Sequence, residues 1–419
     1  MTPRAAALFS LAALLVGLAV TAAVLVPWRQ PPAPRADQVA ALRDLPAEQV
    51  QRGRALRSAL RPGRLTALLL GLAVALLLGL TPLGAGLIEA AGRPFGGHWV
   101  AQALFGGLLV VVVGDVLTLP FAVWRHRVLS DHGLVTQGWA GWATDLAKSY
   151  AISAVLGALA LLAFYGVTRL APRWWWAFAS AGVAVGVVLL SFILPVLVEP
   201  VFNRFTPMPA GPLRTELLAL AERDGVAVRD VLVADASRRT RAVNAYVSGF
   251  GPTRRIVVYD TMLREAPPVE VAAVVAHELS HAKHRDVLTG TVLAAIGAAA
   301  VVIGIYLLGG WDAPVRAAGV TDIADPRAFA LLVAVVTVVG LVATPAQALL
   351  SRRIEVRADA HALALHGDPA AFEAVHRRLS AVNLSDPDPP RWEHLYWATH
   401  PSTVERIAAA RAHARGDGR

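Results

Sequence analysis

The sequence predicts a mainly α-helical, multi-pass membrane protein of about seven transmembrane helices, with a small α+β domain inserted past its middle. Three observations predict it. The chain of 419 residues is 56% hydrophobic and only 16% charged, with a mean hydropathy of +0.53, which is too apolar for an ordinary soluble protein. Seven apolar stretches are each long enough to cross a hydrocarbon core about 30 Å thick at about 1.5 Å per helical residue. A single polar segment, residues 199–286, separates the fifth stretch from the sixth.

The apolar stretches run from Ala7 to Pro27, Leu65 to Glu89, Trp99 to Trp124, Tyr150 to Leu170, Trp174 to Val198, Val287 to Leu308 and Ala328 to Leu350. The first has signal-peptide character, but its apolar part is long and "AVLVPWRQPP" offers a poor small-residue cleavage site, so a retained span is expected. The chain divides accordingly into an N-terminal membrane region with five spans (1–198), a polar domain (199–286), a membrane hairpin of two spans (287–350) and a polar C-terminal part (351–419). A Pro-rich linker, "RQPPAPRAD", follows the first span.

The net charge is +9, carried almost wholly by arginine, since Lys148 and Lys283 are the only lysines. The arginines are spread over loops between apolar runs, which argues for topology and against a nucleic-acid partner. Arg29, Arg35, Arg43, Arg52, Arg54, Arg57, Arg61 and Arg64 follow the first span and Arg125 and Arg127 the third, whereas the loop after the second has only Arg93. Odd-numbered loops are therefore expected to be cytoplasmic, with the N-terminus outside and both polar segments facing the cytoplasm across the cell membrane. Trp174, Trp175 and Trp176 read as an interfacial belt. Nothing in the sequence marks an oligomer.

Within the polar domain, "GPLRTELLALAERDG" has helical apolar spacing, with Pro near its start and Gly at its end. "VLVADAS" and "RRIVVYD" read as short strands, with "NAYVSGFGPT" turning between them. A helix beginning near Pro267 and Pro268 runs through "VEVAAVVAHELSHAKH" and is expected to lead toward the sixth span.

That helix carries the chemistry. Positions four apart point the same way, so His277 and His281 present two imidazoles on one face, spaced to share a tetrahedral zinc, with Glu278 beside them. The chain has no cysteine, so any metal must use His, Asp and Glu. The competing reading is a polar cluster solvating a helix end. A catalytic zinc needs a third protein ligand and an open position. "SRRIEVRADAHALALH", just after the seventh span, supplies Glu355 as direct ligand and Asp359 one turn later as the acid that orients a ligand histidine. An out-and-back membrane hairpin returns that segment to the same face as His277. Taken alone, the two acids would pair with Arg352, Arg353 and Arg357 on an exposed amphipathic helix.

With these residues in place the sequence resembles the integral-membrane zinc metallopeptidases of the CAAX prenyl protease type 1 family. The resemblance rests on "EPVFNRFTPMP", "SRRTRAVNAYVSGFGPTRRIVVYDTML", "HELSH", "SRRIEVRADAHAL" and "THPSTVERI", in that order, from Glu199 to the C-terminal end. It implies a zincin-like protease domain, one Zn2+ per chain held by His277, His281 and Glu355, Glu278 as catalytic base, and an acid at Asp359 often assigned as proton donor. His400 or Arg406 is the expected donor to the tetrahedral oxyanion, with Tyr396 a weaker alternative. An unpaired strand edge would hold a peptide or membrane-protein substrate extended; "NAYVSG" is the candidate, with Asn244, Ala245 and Tyr246 lining the cleft. Tyr246 packing into the domain core is the bland alternative.

His284 and Asp286 extend the polar cluster, and His284 is left as a surface residue. Asp115, well inside the third span, is expected to face a wet cavity. The same carboxylate suits a transporter or assembly protein with an inactive HExxH, the rival class. A heat-shock-type quality-control membrane protease is the runner-up within the enzymes, disfavoured by seven crossings.

Overall fold

The computed structural model of the chain describes residues 1–29 and 33–416; residues 30–32, within the Pro-rich linker, and 417–419 lie outside the described residues. Among the described residues, seven helices are long and apolar enough to cross a membrane. The chain opens with α1 (Pro3–Leu25), the short α2 (Arg35–Arg43), α3 (Ala47–Gly79), α4 (Pro82–Gly92), α5 (Trp99–Asp131), α6 (Trp139–Leu170) and α7 (Trp175–Phe202). It continues through β1 (Phe205–Pro207), α8 (Pro212–Arg223), β2 (Asp230–Ala234), β3 (Ala245–Ser248), β4 (Arg255–Tyr259), α9 (Asp260–Glu265) and α10 (Pro268–Lys283). It closes with α11 (Asp286–Leu308), α12 (Asp312–Ala317), α13 (Phe329–His366), α14 (Pro369–Val382), α15 (Arg391–Trp397) and α16 (Thr403–Ala414).

Three membrane elements differ from expectation. The second span is not one helix from Leu65 to Glu89. α3 begins at Ala47 and stops at Gly79, and Pro82, which cannot continue an intrahelical hydrogen bond, opens α4 with Thr81 as its N-cap. The break is also a packing device: a Cβ on Gly79 would lie 2.5 Å from Ala334 Cβ, and one on Gly84 2.4 Å from Ala330 Cβ, so the two glycines let α3 and α4 press against α13. The fourth span starts at Trp139, eleven residues before Tyr150, because "WAGWATDLAKS" continues the same helix. Of the three tryptophans read as an interfacial belt, only Trp174 is exposed. Trp175 and Trp176 are buried, with ring centroids 5.5 Å and 5.7 Å from Tyr306 on α11, so aromatic packing claims them.

The polar domain is a four-stranded sheet in the order β1-β2-β4-β3. β2 and β4, the two strands legible in the sequence, pair in parallel from Asp230↔Arg255 to Ala234↔Tyr259. β3 lies antiparallel on β4, from Ala245↔Val258 to Ser248↔Arg255, so "NAYVSG" forms a strand at the sheet's edge as well as the start of a turn. Alternation along β4 buries Ile256 and Val258 against Val271, Val275 and Leu279 of α10 and Leu217 and Leu220 of α8. Phe372 and Val375 of α14 close the same core. The sheet is thus a rigid floor that fixes the azimuth of α10, and with it the histidine face.

α13 is the element that connects membrane to domain. Its 38 residues extend about 57 Å at 1.5 Å per residue, well beyond a core of about 30 Å. Glu355 and Asp359 therefore ride on a continuous extension of the seventh span. Arg57 and Arg35, two of the arginines read as topology markers, do structural work too, as does Arg411. Arg57 donates to Asp386 (3.0 Å) and Glu393 (3.0 Å), Arg411 reaches Asp44 (2.7 Å), and Arg35 reaches Asp388 (2.7 Å). Together with a small core of Ala41, Leu45, Val50, Val404 and Ile407, these pairs clasp α2 and the first part of α3 to α15, α16 and the loop before α15.

Candidate metal centre

α10 positions the histidines because its opposite face is apolar and sealed: Val271, Val275 and Leu279 are fully buried. His277 is buried and His281 is partly exposed beside it, their Nε2 atoms 3.3 Å apart. α13 brings Glu355, 78 positions along from His277, to the same point: Oε2 lies 3.2 Å from His277 Nε2 and Oε1 3.5 Å from His281 Nε2. These three donors are the group of His, Asp or Glu side chains among the described residues that converges closely enough to hold one ion. A metal bound tetrahedrally at about 2.0–2.1 Å sets its ligand atoms about 3.3–3.4 Å apart, so the spacing found here fits the ion. The chemistry fits as well. Burial opposes a charge on the His277 imidazole, yet Asp359 and Glu355 outweigh it and raise its pKa to about 10, so the site favours a cation.

The acids of α13 turn toward the histidines. Asp359 Oδ1 sits 2.9 Å from His277 Nδ1, a short but bent contact. Arg352 instead donates to the carbonyls of His394 (2.9 Å) and Ala398 (2.6 Å), capping α15, and Arg357 pairs with Asp286. The cation that does meet the acids is Arg406 of α16, whose Nη2 donates to Glu355 Oε2 at 2.8 Å and whose Nε lies 3.3 Å from Asp359 Oδ2. Glu278 is partly covered beside the histidines, and burial pushes its carboxyl above the ordinary carboxylate value.

His400 lies at the mouth of this cluster, its side chain largely exposed, with Nε2 3.4 Å from Glu355 Oε1 and Nδ1 2.8 Å from Thr399 Oγ1. Tyr396 does not face the cluster. Its hydroxyl donates to the carbonyl of Leu341 at 2.7 Å, the acceptor left without an amide because Pro345 stands four residues on. On the edge strand, the Asn244 carbonyl accepts from Tyr259 N–H (3.0 Å), and Ala245 faces the core. Tyr246 is partly buried on the other face, its ring centroid 6.3 Å from that of Tyr259. Asn383 fastens the strand's approach, accepting from Val243 N–H at 2.9 Å.

Two residues were not resolved by sequence reasoning. Asp286 is buried and accepts from His281 Nδ1 at 2.9 Å. Its position five residues after a histidine is no helical neighbour, so spacing alone gave no signal. His284 turns back on its own helix, its Nδ1 2.9 Å from the Ser280 carbonyl, and its ring meets His361 away from the three donors. Asp115 lines a mostly apolar cavity of about 730 Å³ with Leu108, Tyr150, Val302 and Phe329. Val336 of α13 lines it as well, 19 residues before Glu355 and so about 29 Å along the helix, and none of the three donors is among its lining residues.

Comparison with known proteins agrees with this architecture. Residues 207–414 match the model of peptidase family M48, and residues 61–204 match a model described as the CAAX prenyl protease N-terminal region, five membrane helices. The chain is 30% identical over 321 residues to a CAAX prenyl protease 1 homolog of Oryza sativa subsp. japonica, covering 72% of this chain and 71% of that one. It is 29% identical over 309 residues to a Bacillus subtilis protein described as the uncharacterized metalloprotease YhfN, covering 71% of each. The crystal structure of S. mikatae Ste24p superposes with a TM-score of 0.76 over 96% of this chain and 97% of that one, at 23% identity, and so shares the fold. Fold and site together define a membrane-embedded metallopeptidase. The chain belongs to peptidase family M48, among the relatives of CAAX prenyl protease 1.

Proposed function

We propose that the protein is a zinc-dependent endopeptidase, cleaving peptides or membrane-protein segments at the cytoplasmic face of the cell membrane. The catalytic unit is built from residues 199–286 and 351–419, joined across the hairpin 287–350, with the membrane region 1–198 supporting it. The observation that carries the reading is the convergence of His277 Nε2, His281 Nε2 and a Glu355 carboxylate at 3.2–3.5 Å from one another. Those three hold the ion, which when bound supplies Lewis acidity toward a water and a scissile carbonyl.

The chain's own residues do the rest. Glu278 takes the proton from the attacking water and passes it to the leaving amine, a role suited to a carboxyl raised by burial. Asp359 holds the His277 ring by its Nδ1, leaving Nε2 free for the metal. Arg406 balances the two buried acids. His400, exposed at the mouth, is the donor best placed for the oxyanion. Of the candidate strand Asn244, Ala245 and Tyr246, the main-chain groups of Asn244 and Tyr246 are turned to β4, so the free edge that offers hydrogen bonds to an extended substrate is that of Ala245 and, two residues on, Val247, with the Tyr246 side chain beside it. The five-helix N-terminal match favours this reading over the heat-shock-type protease, and the complete donor set favours it over a transporter.

Metal analysis of purified protein together with cleavage of a quenched peptide tests the reading. Wild type is expected to carry zinc and cleave, and Glu278→Gln to carry zinc and not cleave. Equal turnover in both would overturn the assignment of the base.

A further inference from the structure

The break between α10 and α11 has a chemical consequence. In an uninterrupted helix, a residue five positions after His281 would lie about 140° round the axis, pointing away from it. Arg285 interrupts the helix in the left-handed region, at φ 56 and ψ 39, a conformation that few non-glycine residues adopt. The turn swings the first residue of the membrane helix, Asp286, back beneath the histidine. Its Oδ2 accepts from His281 Nδ1 at 2.9 Å, and its Oδ1 is held by Arg357, two residues past Glu355 on α13. The carboxylate is buried and sits in the first turn of α11, where a negative charge is favoured.

We propose that Asp286 is a positioning residue for the metal: held between Arg357 and the left-handed turn at Arg285, it fixes His281 as the Nδ1–H tautomer and aims Nε2 at the divalent cation. This rests on the reading of His277, His281 and Glu355 as ligands. The two histidines are then each oriented by a separate acid. Because Asp286 begins α11 and Arg357 belongs to α13, both arms of the membrane hairpin meet at the carboxylate that holds His281.

The test is zinc affinity of the full-length protein in detergent, measured by competition with a chelator of known affinity. Asp286→Ala is expected to weaken binding by about 10–100-fold, and Asp286→Asn, which keeps an acceptor oxygen, to recover part of that loss. Arg285→Gly is expected to bind as wild type, because glycine adopts the left-handed region freely, whereas the β-branched Arg285→Val is expected to bind more weakly. Asp286→Ala combined with Arg357→Met removes both buried charges. Its thermal midpoint in chelator is expected near that of wild type while its zinc affinity stays low, a split that a merely structural role would not produce. Zinc affinity within about twofold of wild type in Asp286→Ala, with zinc lost in His281→Ala, would overturn the proposal. Zinc retained in His281→Ala would instead overturn the ligand assignment beneath it. Should Asp286→Ala fail to fold, Asp286→Asn decides: a fall of more than about threefold supports the proposal and an unchanged affinity overturns it.

Discussion

Arg406→Met separates the protein's two ways of neutralising its buried acids. The Arg406 guanidinium is 11% exposed and meets the carboxylates of Glu355 and Asp359, which are 8% and 4% exposed, at 2.8 and 3.3 Å. Removing one partner from such a buried group costs about 3–5 kcal/mol, because the remaining charges lose their compensation. A midpoint shift on the order of 10 °C follows for a catalytic unit of this size. Bound zinc supplies two positive charges at the same carboxylates, so the loaded variant should lose only the hydrogen bond, about 1.5–3 kcal/mol. Removing the competing cation should also leave zinc affinity equal to or above that of wild type. The assay is thermal unfolding with and without chelator, paired with a zinc titration. A metal-free midpoint equal to wild type would refute the electrostatic account, as would weaker zinc binding in the variant.

Three further outcomes follow from the burial and packing of single residues. Burial holds the His376 imidazole well below its ordinary 6.5, so it is neutral in the fold and protonates on unfolding. Its stabilising contribution is present above pH 6.5 and is lost as the pH falls toward the folded value; urea midpoints between pH 7 and 5 should therefore decline less steeply in His376→Phe than in wild type, and parallel curves would count against this. Tyr396→Phe should lower stability by about 1–3 kcal/mol, by leaving the Leu341 carbonyl unpartnered, while turnover stays within twofold; a collapse in turnover would return Tyr396 to the site. Gly79→Val should destabilise the membrane bundle by about 1–3 kcal/mol through overpacking on Ala334, read as a lower midpoint in detergent, and an unchanged midpoint would exclude that close approach.

The residues differ in how openly they announced their roles. His277, Glu278 and His281 share one helix turn, so local periodicity placed them. Glu355 was legible because a membrane hairpin leaves few places for its return. Asp286 was not legible, because its approach depends on one left-handed residue, and Arg285 carries no turn signature of the Gly or Asn kind. Trp175 and Trp176 were misplaced because a belt and a packed aromatic cluster have the same composition; Tyr306, 130 positions further on, decides between them. The long span boundaries failed for a related reason. Polar residues at 47–64 and 139–149 remain helical because they pair with or pack on the catalytic unit, as Arg57 does with Glu393 and Asp145 with Arg239 (2.7 Å). Hydropathy ends where lipid ends, whereas these helices do not.

Zinc stoichiometry by mass spectrometry, on wild type and Glu355→Ala purified side by side, addresses the convergence at the heart of this account. One zinc per chain in wild type and almost none in Glu355→Ala is the predicted result. A full complement of zinc in Glu355→Ala would contradict it, because the ion would then be held without the arm that the seventh span carries to the histidines.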